Sequence, residues 1–425
     1  MSNQNDQAGT AGLPADGSAP ATPAGAGAGS ERRLEIVTVY SIGLFQGLSL
    51  VAFPAAATVL TSTSGYDLSR SRYGLLFLPQ VIMAIAGSLA LPALAHRFPL
   101  KRILVTGIMA DTVAMSLLVA SDPIRADSIA YPMLLVATAF LGLGFGITLS
   151  SISTYAGAFM PDRRDVALTA LNVLLGLGTA LSPLLIAVFL EIGEWWYLPL
   201  IAAAGLVVLL VFALLQPMRV PESKVTRASG RIPALFWLFA AALVMYGIGE
   251  TMFGNWGTTL LVSKGVKAAS ATDALAAFWA AVTVGRLLIA LSARRFRSTH
   301  IYLVLPWAMA AALLLAPLAK TADGGILLFG FGGLACSGFF PMTVGYGEAT
   351  FPSLVELAAG WLIAAYQVGY GLAAFGGGAL QSEVSLSSIF RIAAVLAVAA
   401  GVLAVPIARR QHVPGQPISA AVNAT

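Results

Sequence analysis

The segment GSLALPALAHRF, residues 87–98, returns as GRLLIALSARRF at 285–296, with Gly, Leu, Ala, Arg and Phe at matching positions. Each copy ends an apolar run and opens a basic loop. Two further pairs keep the same order. YSIG (40–43) answers YGIG (246–249), and YAGAFMP (155–161) answers YGEATFP (346–352). Each pair falls at the same place in its own half of the chain and in the same orientation. A duplication in parallel orientation is the simplest cause, and membrane transport proteins are often built this way.

Composition fixes the solvent. Of 425 residues, 58% are hydrophobic and 10% charged, and the mean hydropathy is +0.84. Soluble domains carry roughly 25% charged residues, so this chain has too little polar surface to face water. It reads as an all-α polytopic membrane protein. A spanning helix needs about 20 mostly apolar residues. That ruler gives spans near 34–61, 73–95, 101–120, 131–159, 166–190 and 197–216, then 233–262, 274–293, 301–319, 325–351, 355–381 and 388–407. The expected organisation is therefore a cytoplasmic tail (1–33), a six-helix bundle (34–216), a polar linker (217–232), a second six-helix bundle (233–407) and a short tail (408–425). The first thirty residues are mainly Ala, Gly, Pro and Ser and cannot bury enough apolar surface to order themselves. They contain no apolar run and so no secretory signal.

The net charge of +5 does not mark a nucleic-acid surface, because the cations sit in short loops. Cytoplasmic loops are enriched in Lys and Arg. Of the 24 such residues, Arg70, Arg72, Arg125, Lys264, Lys267 and Lys320 fall in loops on one side, while Arg286 and Arg391 lie within spans. The remaining sixteen fall on the side of the N-terminus. Both termini are thus expected in the cytoplasm, in a plasma membrane or a bacterial inner membrane. One cysteine, Cys336, and three scattered histidines offer no disulfide, no metal site and no nucleophile–base set. The chain does not read as an enzyme, and it calls for no cofactor.

At this point the chain resembles the major facilitator superfamily, across residues 34–407. That family's signature loop, Gly-x-Leu-Ala-Asp-Arg-x-Gly-Arg-Lys-Arg, is similar to PALAHRFPLKR (92–102), which keeps Leu94, Ala95, Arg97, Lys101 and Arg102. His96 replaces the acid, and Arg294 stands at the equivalent place in the second copy, after the pair Gly285-Arg286. GLGTALSP (176–183) is similar to the glycine-proline motif of antiporters, and the seventh span, with its acid six residues before Trp256, resembles the fucose-permease-like branch. The fourth span lacks a carboxylate. The resemblance implies two pseudo-symmetric six-helix bundles rocking about a central site, with the first, fourth, seventh and tenth helices in its wall. It implies secondary active transport by alternating access, with Arg97, Lys101, Arg102, Arg294 and Arg295 at the gate.

Charge inside a span points to chemistry. An ionisable group at the bilayer centre costs roughly 2.5–3.5 kcal/mol on insertion scales, and Glu250 lies in MYGIGETMFGNWGTTLLV (245–262) near the midplane. A carboxyl taken out of water favours its neutral form, the property a proton carrier needs, so Glu250 is the candidate coupling residue. The glycines around it would let the helix bend or unwind. On an ideal helix Tyr246, Glu250, Phe253 and Gly257 share a face, and Asn255 joins them only if the helix distorts. Arg286 reads as an anion contact or a gate, Asp111 as a structural bond, and Glu348 as a group at the cytoplasmic mouth. Gln46, Tyr155, Asn172, Tyr246, Asn255, Trp256, Arg286, Tyr346, Tyr366 and Gln367 complete the expected substrate cavity. The function expected is proton-coupled movement of a small organic solute by a monomer in the lipid bilayer, without nucleic acid. Export of drugs or metabolites by proton antiport is the alternative. A lipid flippase or a transport-dead sensor is weaker, because a flippase needs an apolar lateral cavity and a sensor needs a signalling domain.

Overall fold

The computed structural model describes residues 25–161, 164–218, 233–292, 298–351, 355–381 and 383–410. A bilayer core offers no water to backbone groups, so a spanning segment must satisfy its own N–H and C=O. Among the described residues all regular structure is helical. The first half contains α1 (Gly25–Leu50), α2 (Ala52–Ala55), α3 (Ala57–Thr61), α4 (Arg70–Leu75), α5 (Phe77–Ala95), α6 (Leu100–Ser121), α7 (Ala130–Phe159), α8 (Arg164–Glu191) and α9 (Tyr197–Leu215). The second contains α10 (Phe236–Ser263), α11 (Ala268–Ser292), α12 (Ser298–Leu315), α13 (Ala322–Cys336), α14 (Phe339–Thr350), α15 (Val355–Leu380) and α16 (Leu386–Arg410). Twelve crossings result, because α1–α3, α4–α5 and α13–α14 are each one interrupted crossing. An even number of crossings leaves both chain ends on one face, the terminal face; the other is the distal face.

The interruptions have a local cause. Proline lacks an N–H, and its ring collides with the carbonyl four residues earlier. Pro54, Pro79 and Pro341 follow Leu50, Leu75 and Ser337 at that distance, and the helix breaks at Val51, at Leu76 and at Ser337-Gly338. Pro183, Pro306 and Pro406 sit inside helices that run on. Proline permits these breaks without compelling them.

The crossings coincide with the spans read from hydropathy, with two extensions. The first helix begins at Gly25, inside the stretch whose composition reads as tail, because adding a turn to an existing helix costs far less than nucleating one. The eighth crossing begins at Ala268 rather than 274. Asp273 depressed the hydropathy there, yet it is only half-buried in the second turn, within reach of the distal face.

The duplication is written in the packing. In the first half α1 lies on α8, α5 and α6 both lie on α7, and α6 lies on α9. In the second, α10 lies on α15, α11 and α12 both lie on α13, and α12 lies on α16. The two largest contacts between the halves are α8 with α11 and α15 with α4 and α5, and the repeat exchanges one for the other; α10 also touches α2 and α3. Without a hydrophobic drive between helices in lipid, close backbone approach decides the packing. A Cβ added at Gly47 would stand 2.0 Å from the Leu175 carbonyl oxygen, and one at Gly178 would stand 2.0 Å from that of Leu44. The α1–α8 contact needs both glycines.

The halves are sealed at the distal face. Tyr73 donates its hydroxyl to the Asn255 carbonyl at 3.2 Å, and Ser71 donates to the Gly378 carbonyl at 3.2 Å. The Tyr73 and Trp256 rings meet edge to face, centroids 5.2 Å apart, and Trp256 Nε1 donates to the Ala373 carbonyl at 3.0 Å.

Candidate functional site

Helix α10 is apolar on every side and buried on nearly every side, which places it inside the bundle rather than at its lipid surface. Glu250 stands midway along it, 3% exposed. The Tyr366 hydroxyl of α15 donates to Oε2 at 2.6 Å, and the Tyr246 hydroxyl, one turn back on α10, lies 2.9 Å from Oε1. Among the described residues no ion pair reaches this carboxyl. Buried charges are normally paired; here two phenols supply hydrogen bonds, and the Arg286 charge of α11 acts on the carboxyl from beyond ion-pair distance.

The same tyrosine reaches a third group. Tyr246 Oη also lies 2.5 Å from the Cys336 carbonyl oxygen, the last of α13. Beside it, Arg286 Nε of α11 donates to the Ser337 carbonyl at 3.3 Å. That carbonyl has lost its ordinary partner, because the residue four positions on is Pro341. The break in the tenth crossing is therefore satisfied by side chains from α10 and α11. The Tyr246 ring stacks on Phe339, which stacks in turn on Tyr302, while Phe340 leans on Tyr366. Aromatic rings from four crossings close around one carboxyl.

Of the residues read from sequence as cavity groups, the structure brings together Tyr246, Tyr366 and Arg286 around Glu250. Asn255 is near but turned elsewhere: α10 stays continuous, and the Asn255 amide donates to the Tyr370 hydroxyl at 3.1 Å. The helix does not unwind at the α10 glycines; they admit neighbours, a Cβ at Gly247 standing 2.6 Å from the Tyr366 carbonyl oxygen. Trp256 belongs to the distal seal. Gln367 is buried on α15, and Tyr346 donates to Ser298 Oγ at 3.3 Å, nearer the terminal face. Asn172 is exposed on α8, one turn before Gly176, which packs on Thr283 of α11.

Two expected cavity residues lie elsewhere. Gln46 is fully buried in the first half and donates to Asp111 Oδ1 at 3.3 Å, while Thr148 donates to Oδ2 at 3.0 Å. These bonds fasten α1 and α7 to α6. Tyr155 is also fully buried, and its hydroxyl donates to the Met218 carbonyl at 3.0 Å, bracing the turn that leaves α9. Among the gate residues, Lys101 donates to the Leu214 and Gln216 carbonyls at 2.7 and 2.6 Å, closing the C-terminus of α9 within its own half. A cation there is favoured by the helix dipole. Arg97 and Arg102 are exposed, Glu348 is half-buried, and Arg294 and Arg295 lie outside the described residues. The sequence reading missed Tyr370, Tyr73 and the carbonyls of the break. Pro341 after Gly338 was the available signal for the last.

Twelve crossings in two equivalent halves, with a buried carboxyl at mid-membrane, define a multi-pass membrane protein built on the pattern of secondary transporters. Residues 39–332 match the model of the Major Facilitator Superfamily. The chain belongs to that family. It is 22% identical over 381 residues to an uncharacterized transporter of the family, YtbD of Bacillus subtilis (strain 168), covering 86% of this chain and 92% of the relative. It is 26% identical over 321 residues to the 3-(3-hydroxy-phenyl)propionate transporter of Escherichia coli (strain K12), covering 71% and 75%. Its fold is that of the D-xylose-proton symporter (TM-score 0.73, 14% identity, 88% of this chain and 97% of that one). It is equally that of the nucleoside transporter NupG (TM-score 0.71, 14% identity, 88% and 99%).

Proposed function

We propose that this protein is a proton-coupled secondary transporter of a small organic solute, with Glu250 as the group that carries the proton. The observation that bears most weight is the Glu250 carboxyl midway along α10, held by two tyrosine hydroxyls and, among the described residues, by no salt bridge. A carboxyl in that setting can lose and regain a proton with its partners in place. Arg286, half-buried next to the cluster, supplies positive charge that an anionic group on the solute would meet, and Tyr366 and Phe340 offer ring faces. Aromatic and apolar walls with a few placed polar groups suit an aromatic acid, and the relative from Escherichia coli is named for one. The proton gradient is the energy source and no cofactor is required. The monomer lies in a plasma membrane or bacterial inner membrane with both termini cytoplasmic, following the bias of its basic loops.

Proton flux into proteoliposomes tests this, with a panel of aromatic acids, sugars and lipophilic cations, comparing wild type with Glu250→Gln. The expected outcome is solute-driven proton movement that the variant loses while still exchanging solute. A variant that couples normally would make Glu250 a packing group. Export by antiport is the second reading, supported by GLGTALSP, whose Gly176 and Gly178 pack α8 against both α11 and α1. Proton movement opposite in direction to solute movement would select it.

A further inference from the structure

Tyr246 stands between two acceptors with one hydrogen to give. Its oxygen lies 2.9 Å from Glu250 Oε1 and 2.5 Å from the Cys336 carbonyl oxygen. A carbonyl never donates, so the protonation of Glu250 decides how the three groups are satisfied. When Glu250 carries a proton on Oε1, it donates to Tyr246, and the tyrosine hydrogen goes to Cys336. Tyr366 donates to Oε2 in either state. One hydrogen then serves every link of the chain from Tyr366 through Glu250 and Tyr246 to Cys336. When Glu250 is ionised, the carboxylate and the carbonyl compete for the single tyrosine hydrogen, and a charged acceptor makes the stronger bond. The Cys336 carbonyl then loses its side-chain donor at the end of α13.

We infer that Tyr246 is a positioning residue that ties the proton on Glu250 to the break between α13 and α14, so that the protonated carrier holds the break closed and the ionised carrier releases it. The inference rests on Glu250 being the proton site proposed above. The break is a place where release has consequences. Its second carbonyl, Ser337, is already cut off from its helical partner by Pro341 and depends on Arg286. Beyond it, α14 carries Phe339, stacked on Tyr246, and Phe340, against Tyr366. Movement of α14 about Gly338 therefore moves the wall of the site.

The groups facing Glu250 are few. From α15 come Tyr366 and Tyr370, from α11 Arg286, and from α13 Cys336. On the neighbouring faces α12 sets Met309 against Gly249, α14 sets Phe339 against Tyr246 with Tyr302 behind it, and α16 sets Phe390 against Phe253. No carboxyl among them competes for the proton.

The chain's single cysteine lies at the break and is fully buried, so its alkylation reports opening. The full-length protein in proteoliposomes would be treated with a membrane-permeant maleimide in mildly acid and mildly alkaline buffer. Each rate would be divided by that of the denatured chain at the same pH, which removes the thiol's own ionisation. The wild-type ratio should rise by about two- to tenfold from acid to alkaline buffer, the range that one hydrogen bond supplies. Tyr246→Phe, which keeps the ring on Phe339, should label fast at both pH values. Glu250→Gln, whose amide donates permanently, should label slowly at both. A wild type without pH response, or a Tyr246→Phe that keeps the wild-type response, would overturn the inference. Should Tyr246→Phe fail to fold, Pro341→Ala decides. It returns an N–H to the Ser337 carbonyl and should label slowly at both pH values, and a wild-type response in it would overturn the inference. The flux assay on Glu250→Gln keeps the two readings apart. Lost coupling in Glu250→Gln together with a pH response in Tyr246→Phe removes this link and leaves the proton site standing. Normal coupling in Glu250→Gln removes the proton site itself.

Discussion

Two buried acids, Asp111 and Glu250, illustrate how a membrane interior can hold a carboxyl in different ways. Asp111 receives Gln46 and Thr148 within a single half. Each oxygen there has one fixed donor, and an asparagine satisfies both, its Oδ1 taking the Gln46 amide and its Nδ2 donating to Thr148 Oγ1. Asp111→Asn is therefore expected to keep transport and coupling. Asp111→Leu leaves two buried donors unmet at about 1–3 kcal/mol each and should lower thermal stability in detergent while leaving proton stoichiometry alone. A loss of coupling in Asp111→Asn with stability intact would instead make Asp111 part of the proton path. Sequence alone exposed both acids, because charge within an apolar span is visible. It did not show their partners. Tyr246 and Glu250 sit one turn apart and share a face by helical spacing, whereas Tyr366 meets Glu250 only because α15 packs on α10. Gln46 and Tyr155 read as cavity groups for the same reason: polarity in a span is legible, and the side it faces is not.

At the scale of elements, hydropathy located the crossings well, since the bilayer demands long apolar runs and the loops between them are short. What it could not give is where a crossing breaks, because an apolar run stays apolar on either side of a kink. Pro79 and Pro341 lie at breaks while Pro183 and Pro306 do not, so the difference resides in the neighbours. At Ser337 an arginine meets the carbonyl that Pro341 frees, and a tyrosine reaches the neighbouring carbonyl of Cys336. Glycine is read in the same way, through what approaches it. Gly178→Ala should separate α8 from α1, because its Cβ would meet backbone at 2.0 Å, and overpacking of this kind costs about 1–3 kcal/mol. Gly376→Ala on α15 meets open space and should stabilise by about 0.5–1 kcal/mol, the usual gain from replacing glycine inside a helix. Thermal unfolding of the two variants in the same detergent checks the pair, and equal effects would mean that backbone approach does not govern this packing.

Across the whole molecule, the duplication sets two kinds of joint between the halves. The lateral contacts, α8 with α11 and α15 with α4 and α5, follow the repeat. The distal seal adds Tyr73 and Trp256, for which the motif pairs of the sequence give no warning. If the halves alternate as the family resemblance implies, a structure closed at one face is one member of a pair, and its population depends on how well that closure fits. Gly74 lies at a close approach of the two halves: a Cβ there would stand 2.8 Å from the Ala374 carbonyl oxygen and 3.1 Å from the Gly378 Cα. Gly74→Trp puts an indole where the two backbones meet, while the ring itself can extend into the space between halves once they part. The variant is expected to rest with its distal face open, because the closed arrangement cannot accept the ring. A cysteine placed at Ser71 in that background should label from the distal side at least about tenfold faster than in the parent, a shift of roughly 1.4 kcal/mol or more in the equilibrium. Solute should still bind, and net transport and exchange should both stop, since each requires the distal face to close. Unchanged labelling would show that α4 and α15 adapt to the ring without parting, and the seal would then lie with Tyr73 and Trp256 alone. Tyr73→Phe separates these cases, because it removes the hydrogen bond to Asn255 while keeping the ring on Trp256. If the seal rests on packing at Gly74, Tyr73→Phe changes distal labelling by only the few-fold that one hydrogen bond of about 0.5–1.5 kcal/mol allows.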